Sequence, residues 1–183
     1  MDEQIDQHIR TVETLRRDIP LLEKMADRII EAFRGSGRVY VLGNGGSAAD
    51  AQHIATELLG RFKRDRRALP AMALTTDSSM LTAIANDLGF ETMFARQVEG
   101  LATANDIVWA LSVSGGSSNV LAAVSAARRQ GATVLGFTSR RGSALAELCD
   151  LCLMVDHEAS DRVQEAHELA YHLVCNRVEQ AFA

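Results

Sequence analysis

The sequence is poor in the features that mark secreted and membrane-spanning proteins. Three cysteines, Cys149, Cys152 and Cys175, are an odd number and too few for a disulfide framework in a chain of 183 residues. No run approaches the roughly 18 apolar residues that span a bilayer. The N-terminus is acidic, unlike the basic start of a signal peptide. We therefore expect a cytoplasmic protein without a membrane partner.

Positive charge is also scarce. The 19 lysines and arginines stand against 24 acidic residues, which gives a net charge of -5. This balance argues against nucleic acid as a partner. The one basic cluster, between Arg61 and Arg67, could still bind a single anion. Cys149 and Cys152 form a lone C-x-x-C without a second pair for zinc, and we interpret them as core thiols.

The spacing of apolar residues predicts a helical segment over residues 1–36 and an α/β core over residues 37–183, together one domain. Residues 2–34 lack glycine and have apolar side chains at helical spacing, with two helices joined near Pro20. Short β-rich runs then alternate with helical segments. These runs are Val39 to Leu42, Ala71 to Leu74, Ile107 to Leu111, Thr133 to Phe137 and Leu151 to Val155. Because parallel strands need long crossovers, we predict a three-layer α/β/α fold with a five-stranded parallel sheet and a last helix near 161–181.

A glycine-rich loop, residues 43–47 (Gly-Asn-Gly-Gly-Ser), leaves the first predicted strand and enters a helix. Glycines let the backbone approach a ligand, and a helix N-terminus offers free N–H groups. Ser47 with Asp50 fits a capping box. The loop matches neither the dinucleotide-binding pattern nor a P-loop. A tight turn without a ligand is the alternative interpretation.

A serine-rich loop, residues 112–119 (Ser-Val-Ser-Gly-Gly-Ser-Ser-Asn), follows the third predicted strand. Its hydroxyl and backbone donors at a helix N-terminus suit a phosphate monoester without a cationic residue. Serine-rich helix caps are common, but so many polar side chains exceed what one cap uses. We therefore favour phosphate binding.

Two predicted helices carry side chains that suit acid–base or metal chemistry. His53 and Glu57 are four residues apart and share a helix face, as do Gln164 and His172 on the last helix. Such pairs can bind a metal or transfer protons. A solvated His–Glu pair is the alternative, and His167 or His172 could each be merely structural.

Several of these motifs occur together. They are Gly43-Asn-Gly-Gly-Ser47, His53-x-x-x-Glu57, Gly60-Arg61, Asn86-Asp87, Ser112-x-Ser114-x-x-Ser117 and Arg162-Val-Gln-Glu165 with His172. In this combination the chain resembles the SIS (sugar isomerase) family over essentially its whole length. The resemblance implies an aldose–ketose isomerase that converts sedoheptulose 7-phosphate to D-glycero-D-manno-heptose 7-phosphate, the first step of ADP-heptose supply for lipopolysaccharide. It also implies a homotetramer that the N-terminal helices help to build.

The resemblance also assigns roles to individual positions. It implies that Glu57 and His172 are catalytic, which selects His172 over His167. The implied zinc ligands, one ion per subunit, are His53, Glu57, Gln164 and His172. The implied substrate-binding residues are Asn44, Gly45, Gly46, Ser47, Glu57, Asn86, Asp87, Ser112, Val113, Ser114, Ser117 and Gln164. Of these, Ser112, Ser114 and Ser117 would hold the phosphate.

The serine-rich loop departs from the family pattern Ser-Thr-Ser-Gly-Asn-Ser at two positions. Val113 removes a hydroxyl and Gly116 removes a side-chain amide, so substrate range or affinity is expected to differ. Arg61 could meet the substrate, contact another subunit or be an ordinary exposed arginine.

Two other functions compete with the isomerase. One is a non-catalytic SIS protein that binds a phosphosugar or the replication initiator DnaA. In such relatives the catalytic pair is replaced, whereas Glu57 and His172 are present here. The other is a nucleotide-binding domain, but Leu74 is followed by Thr75 rather than by an acidic residue.

Overall fold

The N-terminal part of the chain is helical, as its apolar spacing predicts. In the computed structural model, which describes residues 1–183, helix α1 spans Asp2–Thr14 and helix α2 spans Ile19–Arg34. A 3₁₀ turn, Leu15–Asp18, joins them. Pro20 therefore lies in the first turn of α2, where a missing N–H costs no helical hydrogen bond.

The remaining chain alternates between strands and helices. The strands are β1 (Val39–Gly43), β2 (Ala71–Ala73), β3 (Ile107–Leu111), β4 (Thr133–Ser139) and β5 (Leu151–Val155). They form one parallel sheet in the order β2-β1-β3-β4-β5. The predicted fold class is confirmed, and all five predicted strands are present.

Helices cover both faces of this sheet. They are α3 (Gly46–Leu59), α4 (Ser78–Leu88), α5 (Met93–Leu101), α6 (Ser118–Arg129), α7 (Ser143–Ala146) and α8 (Ser160–Gln180), with a 3₁₀ turn at Phe90–Thr92. Val41 and Trp109 face the layer of α2, α3 and α8, whereas Leu42 and Val108 face the layer of α5 and α6. Alternate side chains of each central strand thus enter opposite cores. None of the helices has both the length and the apolar character needed to cross a membrane.

The order of the strands creates a crevice beside the first strand. The chain leaves β1 for α3 on one face of the sheet, and it leaves the adjacent β3 for α6 on the other face. The connections therefore diverge at the carboxyl ends of β1 and β3, which is where open α/β sheets bind ligands. This topology places the glycine-rich loop next to the serine-rich loop.

The predicted capping box at the start of α3 is wrong. The helix begins at Gly46, its N-cap is Gly45, and no side chain makes a capping hydrogen bond. Gly45 has a φ of +55°, a conformation that glycine adopts readily. Because the helix starts this early, Ser47 lies inside its first turn rather than at the cap.

The two cysteines of the C-x-x-C motif meet at the sheet. Cys152 lies in β5, and both Cys149 and Cys152 are free and partly buried. Their sulfur atoms would lie 2.5 and 2.9 Å from a Cβ atom at Gly136 of β4. The glycine thus makes room for both thiols.

Candidate active site

The glycine-rich and serine-rich loops are joined by a pair of amide side chains. Asn44 Nδ2 donates to Asn119 Oδ1 at 2.8 Å, and Asn119 Nδ2 donates back to Asn44 Oδ1 at 2.9 Å. Asn119 is buried. This reciprocal pair fixes the distance between the two loops and orients Asn44 at the edge of the crevice.

Helix α8 closes the crevice from the side. The Gln164 amide lies so close to Gly46 that a Cβ atom there would be 2.2 Å from Gln164 Nε2. A side chain at Gly46 would therefore displace the Gln164 amide from its position beside the loop.

A cavity of about 390 Å³ opens between these elements. Its lining includes seven of the predicted substrate-binding residues: Asn44, Ser47, Ser112, Val113, Ser114, Ser117 and Gln164. Ser112 Oγ and Ser117 Oγ are 3.2 Å apart, and Gly116 N–H donates to Ser114 Oγ at 3.3 Å. Hydroxyl and backbone donors thus converge on a space of the size that a small ligand needs.

The serine-rich loop is held in a turn by a glycine at its centre. Gly115 has a φ of +63°, and its N–H donates to the Ser112 carbonyl at 3.0 Å. A Cβ atom at Gly115 would lie 2.2 Å from the Cα atom of Gly142 in the loop after β4. The two loops therefore pack backbone to backbone.

A second group of functional side chains lies farther along α3 and α8. Ligand atoms of His53, Glu57 and His172 all lie within 4.8 Å of one another. His53 Nε2 is 3.0 Å from Glu57 Oε1 and 3.5 Å from His172 Nε2. The predicted catalytic pair, Glu57 and His172, and three of the four implied zinc ligands thus meet across the two helices.

Neighbouring aromatic rings orient the two histidines of this group. The Tyr171 hydroxyl is 2.9 Å from His53 Nδ1, which leaves Nε2 directed toward Glu57. The Phe62 ring stacks on His172 with centroids 5.3 Å apart and an interplanar angle of 19°. Burial, then the nearby His53, lowers the pKa of His172 below its usual 6.5. This favours the neutral imidazole near pH 7.

The loop that carries Phe62 is anchored by a buried carboxylate. Glu179 accepts the backbone N–H groups of Phe62, Lys63 and Arg64 at 2.8 to 3.0 Å, and its Oε1 lies 3.5 Å from Arg66 Nε. Burial raises the pKa of Glu179, but these donors offset it, and the pKa ends below its usual value. The basic cluster between Arg61 and Arg67 thus binds a carboxylate of the same chain, that of Glu179.

The half-buried Asp50 and the buried His167 have shifted pKa values for the same reason, which is loss of contact with water. The carboxyl group of Asp50 has an oxygen without a hydrogen-bond partner, and burial followed by the charge of Glu168 raises its pKa to about 6. His167 is fully buried, and burial lowers its pKa to about 4. His167 therefore belongs to the core, whereas His172 faces the site.

Two predicted contact residues, Asn86 and Asp87, lie elsewhere, and so does Arg61, whose role the sequence left open. Asn86 and Asp87 are exposed on α4, where Asn86 Nδ2 donates to Asp87 Oδ1 at 2.7 Å, and neither lines the cavity. Arg61 is exposed and donates to Asp65 at 2.7 Å. Within one chain, these side chains do not meet the cavity.

The structure also adds cavity residues that sequence reasoning missed. They are Ser139, Arg141, Glu158 and Ser160. Ser139 is the last residue of β4, and the other three follow β4 or β5, so all four lie at the carboxyl ends of strands, where ligands of this fold class bind. Their position after a strand was the one signal in the sequence that pointed to these residues, because neither loop has a glycine-rich or serine-rich motif.

The donor set of His53, Glu57 and His172 could hold a metal ion. Zinc accepts imidazole nitrogen and carboxylate oxygen at about 2.0–2.2 Å, so ligand atoms in a tetrahedral site are a little over 3 Å apart. The 3.5 Å between His53 Nε2 and His172 Nε2 has this spacing, and the 3.0 Å between His53 Nε2 and Glu57 Oε1 is slightly shorter. Tyr171 can accept the Nδ1 hydrogen of His53, which frees the Nε2 lone pair for a metal.

Comparison with known proteins agrees with this geometry. The model of the SIS domain family matches residues 3–139. The phosphoheptose isomerase of Pelobacter propionicus is 50% identical over 170 residues, which are 92% of this chain and 90% of the relative. That of Nitratiruptor is 43% identical over 183 residues, which are 100% of this chain and 98% of the relative.

Solved structures give the same result. The phosphoheptose isomerase from Neisseria gonorrhoeae has a TM-score of 0.88 at 35% identity and covers 98% of both chains. The one from Francisella tularensis has a TM-score of 0.89 at 32% identity and covers 97% of both. The chain therefore belongs to the SIS domain family, in the group of the phosphoheptose isomerases.

Proposed function

We propose that this protein is an aldose–ketose isomerase that converts sedoheptulose 7-phosphate to D-glycero-D-manno-heptose 7-phosphate. The relatives that support this assignment are named phosphoheptose isomerase and match almost the whole chain. The single observation that carries the chemistry is the meeting of the Glu57 carboxylate with the His172 imidazole across two helices. This isomerisation needs such a pair, because one proton moves between carbons and another between oxygens.

Glu57 is the group we assign to the carbon-bound proton. It takes a proton from C1 of the ketose, which gives an enediol, and it returns a proton to C2. His172, neutral near pH 7, moves the other proton between O2 and O1. Phe62, stacked on the His172 ring, keeps that imidazole in place.

The serines of the cavity and the pair of Glu57 and His172 lie apart, so they would contact opposite ends of the substrate. Ser47 lines the cavity and Glu57 lies nearly three helical turns farther along α3, roughly 15 Å at the rise of an α-helix. We infer that the phosphate at one end of the seven-carbon chain lies among the serines and that the first carbons at the other end extend toward Glu57. We assign Ser112, Ser114 and Ser117 to the phosphate.

We propose that His53, Glu57 and His172 hold a zinc ion. Gln164, the fourth implied ligand, lies against Gly46, about two helical turns before His172 on α8, and would have to move to reach that ion. When bound, zinc would polarise the substrate carbonyl as a Lewis acid. A carboxylate that binds a metal is less basic, so a zinc ion on Glu57 would oppose the role of this residue as a base. Zinc content before and after chelation, measured against activity, tests this set.

We also propose a homotetramer in which residues 1–183 act as one SIS domain. Large apolar side chains are exposed on α1, α2 and α8: Ile5, Ile9, Ile19, Leu169 and Leu173. Burying them between subunits would stabilise an assembly. In such an assembly Asn86 and Asp87 would act at the site of a neighbouring subunit. A cytoplasmic location follows from the substrate, since a charged phosphate ester does not cross apolar lipid readily.

The isomerase is tested with sedoheptulose 7-phosphate in D₂O. We expect NMR to show an aldoheptose 7-phosphate with deuterium at C2. Glu57→Gln should reduce kcat by about 100-fold or more, the usual size of an acid–base contribution. Glu99→Gln, an exposed glutamate on α5 that pairs with Arg129, is the matched control and should retain normal turnover.

Near-normal turnover of Glu57→Gln would refute the assignment of the base. Wild-type protein that gives no aldose, with zinc or with chelator, would refute the isomerase. A stable complex with DnaA or with a phosphosugar would then support the non-catalytic alternative.

A further inference from the structure

The cavity contains one basic side chain, and the proposed function has not used it. Among the lining residues, Arg141 is the only cation and Glu158 the only anion. A phosphate dianion that enters this cavity meets neutral serine donors and a carboxylate. The guanidinium of Arg141 is thus the one positive group that can balance its charge from within the cavity.

The backbone around Arg141 is anchored to the serine-rich loop. Ser139 N–H donates to the Val113 carbonyl at 3.2 Å, and Arg141 N–H donates to Ser139 Oγ at 3.2 Å. Gly142 packs against Gly115, as described above. The main chain is thus held at Ser139, before Arg141, and at Gly142, after it. These contacts keep Arg141 beside the proposed phosphate donors.

Arg141 is paired with Glu158, and that pair can be exchanged at small cost. The side chains of Arg141 and Glu158 are 65% and 39% exposed, so solvent screens their attraction. Arg140 also donates to Glu158, at 2.9 Å, and Arg140 lies 3.3 Å from Asp156. If Arg141 moves to a new anion, Glu158 keeps Arg140 as its partner.

We propose that Arg141 is a substrate-binding residue that exchanges its ion pair with Glu158 for the phosphate of the substrate. This inference rests on the proposed function for the identity of the substrate. An arginine binds phosphate through two parallel hydrogen bonds, which neutral hydroxyls cannot reproduce. The serine-rich loop has Val113 and Gly116 where the family pattern has a hydroxyl and an amide, and Arg141 supplies hydrogen-bond donors to the same cavity.

Neighbouring arginines provide a matched experiment. Arg141→Gln and Arg140→Gln each remove one charge from adjacent positions that pair with Glu158, but only Arg141 lines the cavity. We expect Arg141→Gln to raise KM for sedoheptulose 7-phosphate by about 10- to 100-fold with a smaller change in kcat, as for loss of a charged hydrogen bond. Arg140→Gln should change KM less than about threefold. Arg141→Lys should recover part of the loss.

Glu158→Gln tests the exchange itself. Removing the competing carboxylate should tighten the binding of inorganic phosphate by a few-fold, and this gain should vanish when Arg141→Gln is also present. Calorimetric titration with inorganic phosphate measures both effects without turnover. Circular dichroism of each variant confirms that it is folded.

Equal effects of the two arginine variants, or no effect of either, would overturn the assignment of Arg141. Wild-type protein that does not bind phosphate would overturn it as well. If wild type binds phosphate in an Arg141-dependent manner but does not isomerise sedoheptulose 7-phosphate, the assignment of Arg141 stands and the proposed reaction fails.

Discussion

His167 makes the stability of the fold depend on pH between about 4 and 6.5. Its ring is completely buried, with Nε2 3.2 Å from the Thr138 carbonyl oxygen and Nδ1 without a partner. Burial lowers the pKa of His167 from 6.5 to about 4, and the hydrogen bond to Thr138 opposes this only in part. In the unfolded chain the pKa returns to about 6.5. Between these values the unfolded chain binds a proton that the folded chain excludes.

The sign and size of the effect follow from this difference. Above pH 6.5 the imidazole is neutral in both states, and stability is unaffected. As the pH falls from 6.5 toward 4, the folded state loses up to about 1.4 kcal/mol per pH unit, or about 3 kcal/mol in total. Typical domains have only about 5–15 kcal/mol of stability, so the loss is measurable.

The measurement is urea denaturation of wild type and His167→Gln at about pH 5 and about pH 7. Glutamine can still donate an amide hydrogen to Thr138 but does not titrate. We expect the difference in unfolding free energy between the two proteins to change by about 2 kcal/mol between these pH values. Other titrating groups, such as Asp50, are common to both proteins and cancel. Protein concentration must be equal, because assembly contributes to stability. A difference that does not vary with pH would refute the reasoning.

Two further predictions concern the surroundings of the catalytic pair. Tyr171→Phe removes the hydroxyl that orients His53, so it should weaken zinc binding about 10- to 100-fold while the fold is retained. Calorimetric titration with zinc measures this affinity. An unchanged affinity would contradict the orienting role of Tyr171. Glu179→Gln weakens the anchor of the loop that carries Phe62, so it should destabilise the protein by about 3 kcal/mol, measured by thermal unfolding. It should also lower kcat, measured by steady-state kinetics, because Phe62 stacks on the His172 ring. Unchanged unfolding would show that the loop does not depend on Glu179.

The positions of the strands and helices were predictable from local patterns. Short apolar runs and helical spacing predict β1 to β5 and α8 within a few residues, because periodicity reports which side of an element is buried. The two loops that line the cavity were also predictable, since both follow strands of a parallel sheet, whose carboxyl ends are where this fold class binds ligands. The start of α3 was not, because the backbone conformation of Gly45 decided it.

What only the tertiary structure decided is which side chains meet. Spacing places His167 and His172 on one helix, but the packing of α8 against the sheet buries the first and directs the second toward His53. Arg141 enters the cavity because β4 lies beside β3, an order that the sequence pattern does not contain. Local propensity acts within one element, whereas these contacts join residues far apart in the chain. The sequence by itself therefore determined the elements and the loops, and the packing of those elements determined the active site.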